Sequence, residues 1–91
     1  MTTRTDEVID GLLDTLASIE HERWAHWQKY MHEKARKTED GSLIIPPELV
    51  TKWERQIGKK FADLSEKEKE SDRDQVRKYL PIIKSALNNA Q

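Results

Sequence analysis

Apolar residues recur at Ile9, Leu12, Leu13, Leu16, Ile19, Trp27 and Met31, the spacing of one helical face. The same stripe carries Glu20 and Arg23, with Trp24 at its edge, where a plain core would be apolar. One long helix over Asp6 to about Lys37 is the element this pattern demands, capped by Thr5 or Asp6. Gly11 weakens it near its start, leaving the first two turns to fray or to form a separate short piece.

The remaining punctuation favours helices as well. Thr38-Glu-Asp-Gly-Ser42 reads as a turn, and Pro46-Pro47 delays the next helix until a proline stands near its first position. That second helix is short, Pro47 to about Ile57, with Leu49, Val50, Trp53 and Ile57 inward and Gly58 as its C-terminal cap. Lys59 to Asp63 forms a connector anchored by Phe61 and Leu64. Ser65 with Glu68 three residues on is a capping box that starts a third helix, and Pro81 kinks that helix or makes it break and restart through Ile82, Ile83 and Leu87. The expected architecture is all-α: one domain over residues 1–91, a small helical bundle with a long first helix, a short middle helix and a long, Pro-kinked last helix.

Composition makes the core thin. Hydrophobic residues are 35% of the 91 and charged residues 36%, so an oligomer or a ligand is expected to help stabilise the fold, while three Trp, two Tyr and one Phe supply bulky pieces. The formal net charge of -1 offers no basic stripe for tracking a phosphate backbone, which argues against nucleic acid as a partner. Lys52, Arg55, Lys59 and Lys60, opposed only by Glu54, form the most basic patch and read as a solvated helix face that can also extend an anion site. The absence of cysteine excludes a disulfide framework, a thiol nucleophile and a Cys-ligated zinc site, and fits a reducing cytoplasm. MTTRTDEVIDGLL has no apolar segment behind a basic start, and no apolar run approaches bilayer length, so a soluble cytoplasmic protein with no membrane partner is expected.

Wound at helical pitch, Val76, Leu80, Ile83 and Leu87 share one face, and the same face continues back through Asp72, Arg73 and Lys69. Lys67, Glu70 and Asp74 point away. Unpaired charge on an inward face is costly, so each of these groups needs an opposite charge, a hydrogen bond, water or a ligand. On the first helix, His21-Glu-Arg-Trp-Ala-His-Trp27 offers imidazole, guanidinium and two indoles within two turns, groups suited to a flat polar or anionic ligand. Equally, Arg23 can pair with Asp72, Glu20 with Arg23, Arg73 or Lys69, and the Trp residues can fill a core short of Leu.

Catalytic chemistry is poorly supplied. His21 and His26 are five apart and off one face, and no HExxH spacing occurs, so metal binding is not expected. Glu66, Glu68, Glu70, Asp72 and Asp74 alternate at period two, which scatters carboxylates around a helix. Neither a Gly-rich phosphate loop nor a GxSxG elbow is present, and no cofactor is implied.

Two segments resemble the RyR domain, a small helical module of ryanodine receptors and of bacterial and phage proteins. Phe61-Ala-Asp-Leu-Ser-Glu-Lys-Glu-Lys-Glu-Ser-Asp-Arg73 is similar to that family's aromatic, two residues, Leu, then a Glu-Lys-rich helix start leading into Asp-Arg; His21-Glu-Arg-Trp24 is similar to its His-x-x-Trp. Together they cover about a third of the chain. The family's Gly-Trp-x-Tyr-Gly turn and His-Pro-x-Leu-x-Pro stretch are replaced here by a divergent region over Thr38 to Lys60. The resemblance implies a binding module without catalysis, with nucleotide-derived ligands as the class suggested for prokaryotic members, and sequestration of a host signal as a role for a phage-encoded protein of this size. It marks His21, Trp24, Phe61, Lys69, Asp72 and Arg73; residue chemistry adds Arg23 and Trp27.

The expectation is therefore a nucleotide-derived or other anionic ligand held between the first and last helices, with Trp24 and Trp27 stacking on a base and Arg23, Arg73 and Lys69 holding phosphate or carboxylate. The alternative is a helical adaptor or assembly module, homo-oligomeric or not, whose inward charges are structural ion pairs.

Overall fold

The computed structural model describes residues 3–90 and is all-α apart from one short hairpin. Helix α1 (Arg4–Asp10) is followed by α2 (Leu13–Lys34), so the long first helix is interrupted at Gly11-Leu12. The cap lies earlier than Thr5 or Asp6. Thr3 accepts the Asp6 amide at 3.0 Å while its own amide donates to the Asp6 carboxylate at 3.0 Å, a reciprocal box that only a three-residue spacing allows.

Helix α2 ends three residues short of Lys37. Ala35 turns extended, and β1 (Arg36–Lys37) pairs antiparallel with β2 (Leu43–Ile44), Arg36 opposite Ile44 and Lys37 opposite Leu43. The turn expected at Thr38–Ser42 closes this hairpin, with the Thr38 amide donating to the Ser42 carbonyl at 2.8 Å and Gly41 at a φ of 89°. Asp40 accepts from the Thr38 hydroxyl at 2.5 Å and the Ser42 amide at 2.9 Å, which lowers its pKa to about 2.

Helix α3 (Pro47–Ile57) spans its expected residues, with Pro47 at the first position and the Gly58 amide donating to Glu54 at 3.0 Å. A single 3-10 turn, Phe61–Asp63, leads to Ser65, whose hydroxyl accepts the Glu68 amide at 3.2 Å and donates to Glu68 Oε1 at 2.8 Å. Helix α4 (Glu66–Val76) starts there. The last helix is broken, not merely kinked: α4 stops at Val76 and α5 (Leu80–Asn89) begins just before Pro81. Pro81 has no amide to give the Arg77 carbonyl and its ring would crowd that carbonyl, so the chain turns through residues 77–79 and Pro81 takes a position where no amide is needed.

In space, α2 is the spine. Trp53 of α3 meets its C-terminal half through Trp27, α4 returns antiparallel along it so that Asp72 lies near Arg23 and Tyr79 reaches Glu20, and α5 turns aside to lie beside α1. Arg4 Nε closes that last pairing on the Ala90 carbonyl at 2.7 Å.

This path leaves the chain open. Its extents are 56 × 34 × 23 Å and its radius of gyration is 18.3 Å, against about 12 Å for a compact domain of this length. None of the described residues is buried. The chain exposes 7576 Å², whereas a compact protein of 10.7 kDa exposes about 5,500 Å². No described helix is long and apolar enough to cross a membrane.

Candidate functional site

The middle of α2 presents Glu20 and Arg23 one turn apart. Arg23 Nε and Nη2 both donate to Glu20 Oε1, at 3.1 and 2.5 Å, and the other Glu20 oxygen accepts from the Tyr79 hydroxyl. Tyr79 first and Arg23 second therefore hold the Glu20 carboxyl below the usual range, while the same carboxylate pushes the Tyr79 hydroxyl up from 10.0. Asp72 stands close enough to favour the charged form of Arg23 after Glu20 does, without a hydrogen bond between them.

These groups line a cleft of about 350 Å³ between α2 and α4, made by Glu20, Arg23, Asp72, Gln75, Val76 and Tyr79. Its position, between the first helix and the helix that begins at Ser65, is the one expected for a ligand. Its charge is not that of an anion site, because two carboxylates face one guanidinium already engaged by Glu20. A hydrogen-bonding neutral or cationic group suits it better than phosphate.

The other candidate residues fall into three separate groups. Phe61 packs under two cations, with Lys69 Nζ 5.9 Å and Arg73 Cζ 5.6 Å from its ring centroid. Both cations are met by carboxylates of their own helix: Glu66 reaches Lys69 at 3.7 Å and Arg73 at 3.3 Å, and Glu70 reaches Arg73 at 3.2 Å before continuing to Arg77, which also pairs with Asp74 at 2.5 Å. Glu66, then Glu70, push the Arg73 guanidinium further toward its charged form. Lys69 is the most covered of the charged candidates, its side chain 20% exposed. Asp72, expected to face inward with Lys69 and Arg73, is exposed, and the pairs expected between helices are made within α4 instead.

Trp27 stacks on Tyr30 at 5.3 Å and takes the edge of Trp53 at 5.7 Å, so it joins α2 to α3. Trp24 is placed otherwise. It is 57% exposed and stacks on His21, centroids 5.8 Å apart at 24°, on the surface of α2. Leu13 on the same side of the helix is 73% exposed.

The structure thus brings Arg23 and Asp72 together in one cleft, while the His21–Trp24 stack, Trp27, and the Phe61, Lys69 and Arg73 group lie outside its lining. Tyr79 and Gln75 were missed. Tyr79 lies seven residues from Asp72, a spacing that would share one helical face, and this is the signal in the sequence that could place it there. Comparison with protein-family models, with curated proteins and with solved structures finds no match to this chain.

Proposed function

We propose that this chain is a non-enzymatic helical assembly module, which binds a protein partner through the apolar side chains its own fold leaves open. The observation that carries this reading is the exposed area, roughly 2,000 Å² beyond that of a compact protein of its mass, together with large apolar side chains left outward at Leu13, Trp24, Ile57, Val76 and Leu80. A chain that buries none of its described residues gains little from hydrophobic burial alone and has that gain still to make in a complex. The inward charges then serve as intrahelical ion pairs that keep α2 and α4 helical while they wait for a partner face. Absence of cysteine supports a reducing compartment such as the cytoplasm.

One observation favours a second reading. The stacked His21 and Trp24 pair is an exposed aromatic shelf on α2, the helix that also supplies Glu20 and Arg23 to the cleft, and such a shelf can take a nucleobase. The RyR resemblance also supports it. On this reading the base stacks on the open face of Trp24, and any phosphate lies toward solvent.

Thermal melting against mono-, di- and cyclic nucleotides separates the two. The assembly reading expects no nucleotide to raise the midpoint, and Arg73→Ala to lower it with no ligand present. A nucleotide present at a hundred times its dissociation constant that adds about 2.7 kcal/mol of stability overturns that expectation in favour of the ligand site.

A further inference from the structure

We infer that the partner is a second copy of this chain, packed antiparallel along α2 about a two-fold axis at Trp24. The inference rests on the assembly reading above and names its occupant.

Three observations lead there. The first is area: an excess of roughly 2,000 Å² per chain exceeds the about 800 Å² that each partner gives to a standard interface and falls within what obligate homodimers bury. The second is position. Trp24 stands at the midpoint of α2, which runs from Leu13 to Lys34, and among the described residues its one stacking partner is its neighbour His21, so the middle of the spine carries an open indole. Buried tryptophans at the centre of an interface are its usual energetic anchors.

The third is self-complementarity. Leu13, Ala17, Trp24, Gln28 and Met31 recur at steps of three, four and seven residues within α2 and so form one stripe. Turning a second α2 end for end about Trp24 sets Ala17 opposite Met31, small against large on both sides of the axis. A parallel pairing would face Ala17 with Ala17 and Met31 with Met31, a gap at one level and crowding at the other. A net charge of -1 puts almost no global repulsion between copies.

In an isologous pair each contact occurs twice, so the Trp24 shelf is covered by its own equivalent. Stacking of a nucleobase on Trp24 and pairing of copies therefore exclude each other.

The chain has no cysteine, so introduced thiols report geometry without background. Native mass spectrometry and sedimentation velocity of the full chain are expected to give a dimer, and Trp24→Ala to raise its dissociation constant by at least about tenfold with the far-UV helical signal retained. Ala17→Cys mixed with Met31→Cys is expected to oxidise to the mixed disulfide. Neither variant alone links to itself, since residues fourteen apart on antiparallel helices lie about 21 Å from each other, beyond disulfide reach. Self-linking of Ala17→Cys overturns the antiparallel arrangement, and a dimer that forms neither link overturns α2 as its seam. A monomer at every concentration overturns the second copy. If that monomer also melts cooperatively with full amide protection in α2 and α4, the assembly reading falls with it; if it melts without cooperativity, a different protein is the occupant and only the inference about a second copy fails.

Discussion

The Tyr79 hydroxyl donates to Glu20, 59 positions away in sequence, and this side-chain hydrogen bond ties the segment after α4 to the middle of α2. Arg23 holds the other Glu20 oxygen, so one carboxylate serves both its own helix and its neighbour. Glu20 and Tyr79 both line the cleft between the helices.

Tyr79→Phe is expected to lower the melting midpoint at neutral pH and to loosen α4 from α2. The loss depends on pH. Glu20 titrates below its ordinary 4.5 in the folded chain, so its contribution is complete above that value and fades as pH falls through the lowered one. Tyr79 titrates above 10.0 when folded, so its contribution is complete below that value and fades as pH rises through the raised one. Melting curves of wild type and Tyr79→Phe should therefore differ most between these limits and converge beyond them; a constant difference from pH 3 to 11 would show that the bond does not operate in solution.

Trp53→Leu keeps an apolar side chain at the α2–α3 contact but removes the edge-on pairing with Trp27. A loss of about 1 kcal/mol is expected in urea unfolding. The double variant with Trp27→Leu should cost less than the sum of the two singles, because the second substitution has no aromatic pair left to break.

Ser65→Ala removes the side chain that satisfies the Glu68 amide at the start of α4. The expected cost is about 1 kcal/mol, read from the urea midpoint, and amide exchange should rise first at residues 66–69. Ser65→Asp, which keeps an acceptor at this position, is expected to restore most of the loss.

Gly41→Ala tests the hairpin turn. A Cβ at this position meets no atom within 4 Å, so any penalty comes from the φ of 89° alone. About 1 kcal/mol of local stability should be lost, seen as faster exchange of the Thr38 amide, while Gly41→Asn should be milder because Asn tolerates the left-handed region.

Local features of this chain were legible without coordinates. Pro47 as a helix start, Gly58 as a helix end, the Ser65 box, the weakness at Gly11 and the interruption before Pro81 all follow from interactions spanning about four residues, and such interactions carry their own geometry. The same short range explains why Lys69 and Arg73 pair with Glu66 and Glu70: a helix supplies partners three positions away before it meets another helix. The two strands were not legible, since two residues a side are too few to show a period.

What the sequence by itself determined was where helices begin and end and which residues share a face. What only the tertiary structure decided was which faces meet: that Glu20 finds Tyr79 instead of Arg73, that Trp27 is occupied by Trp53, and that Trp24 is left outward. The physical reason is that those outcomes depend on the directions taken at two breaks, Gly11-Leu12 and residues 77–79, and a small change in direction at a break moves everything beyond it by several ångströms. Periodicity ranks residues by face but carries no information on those directions, and so none on how much of each face a single chain can cover.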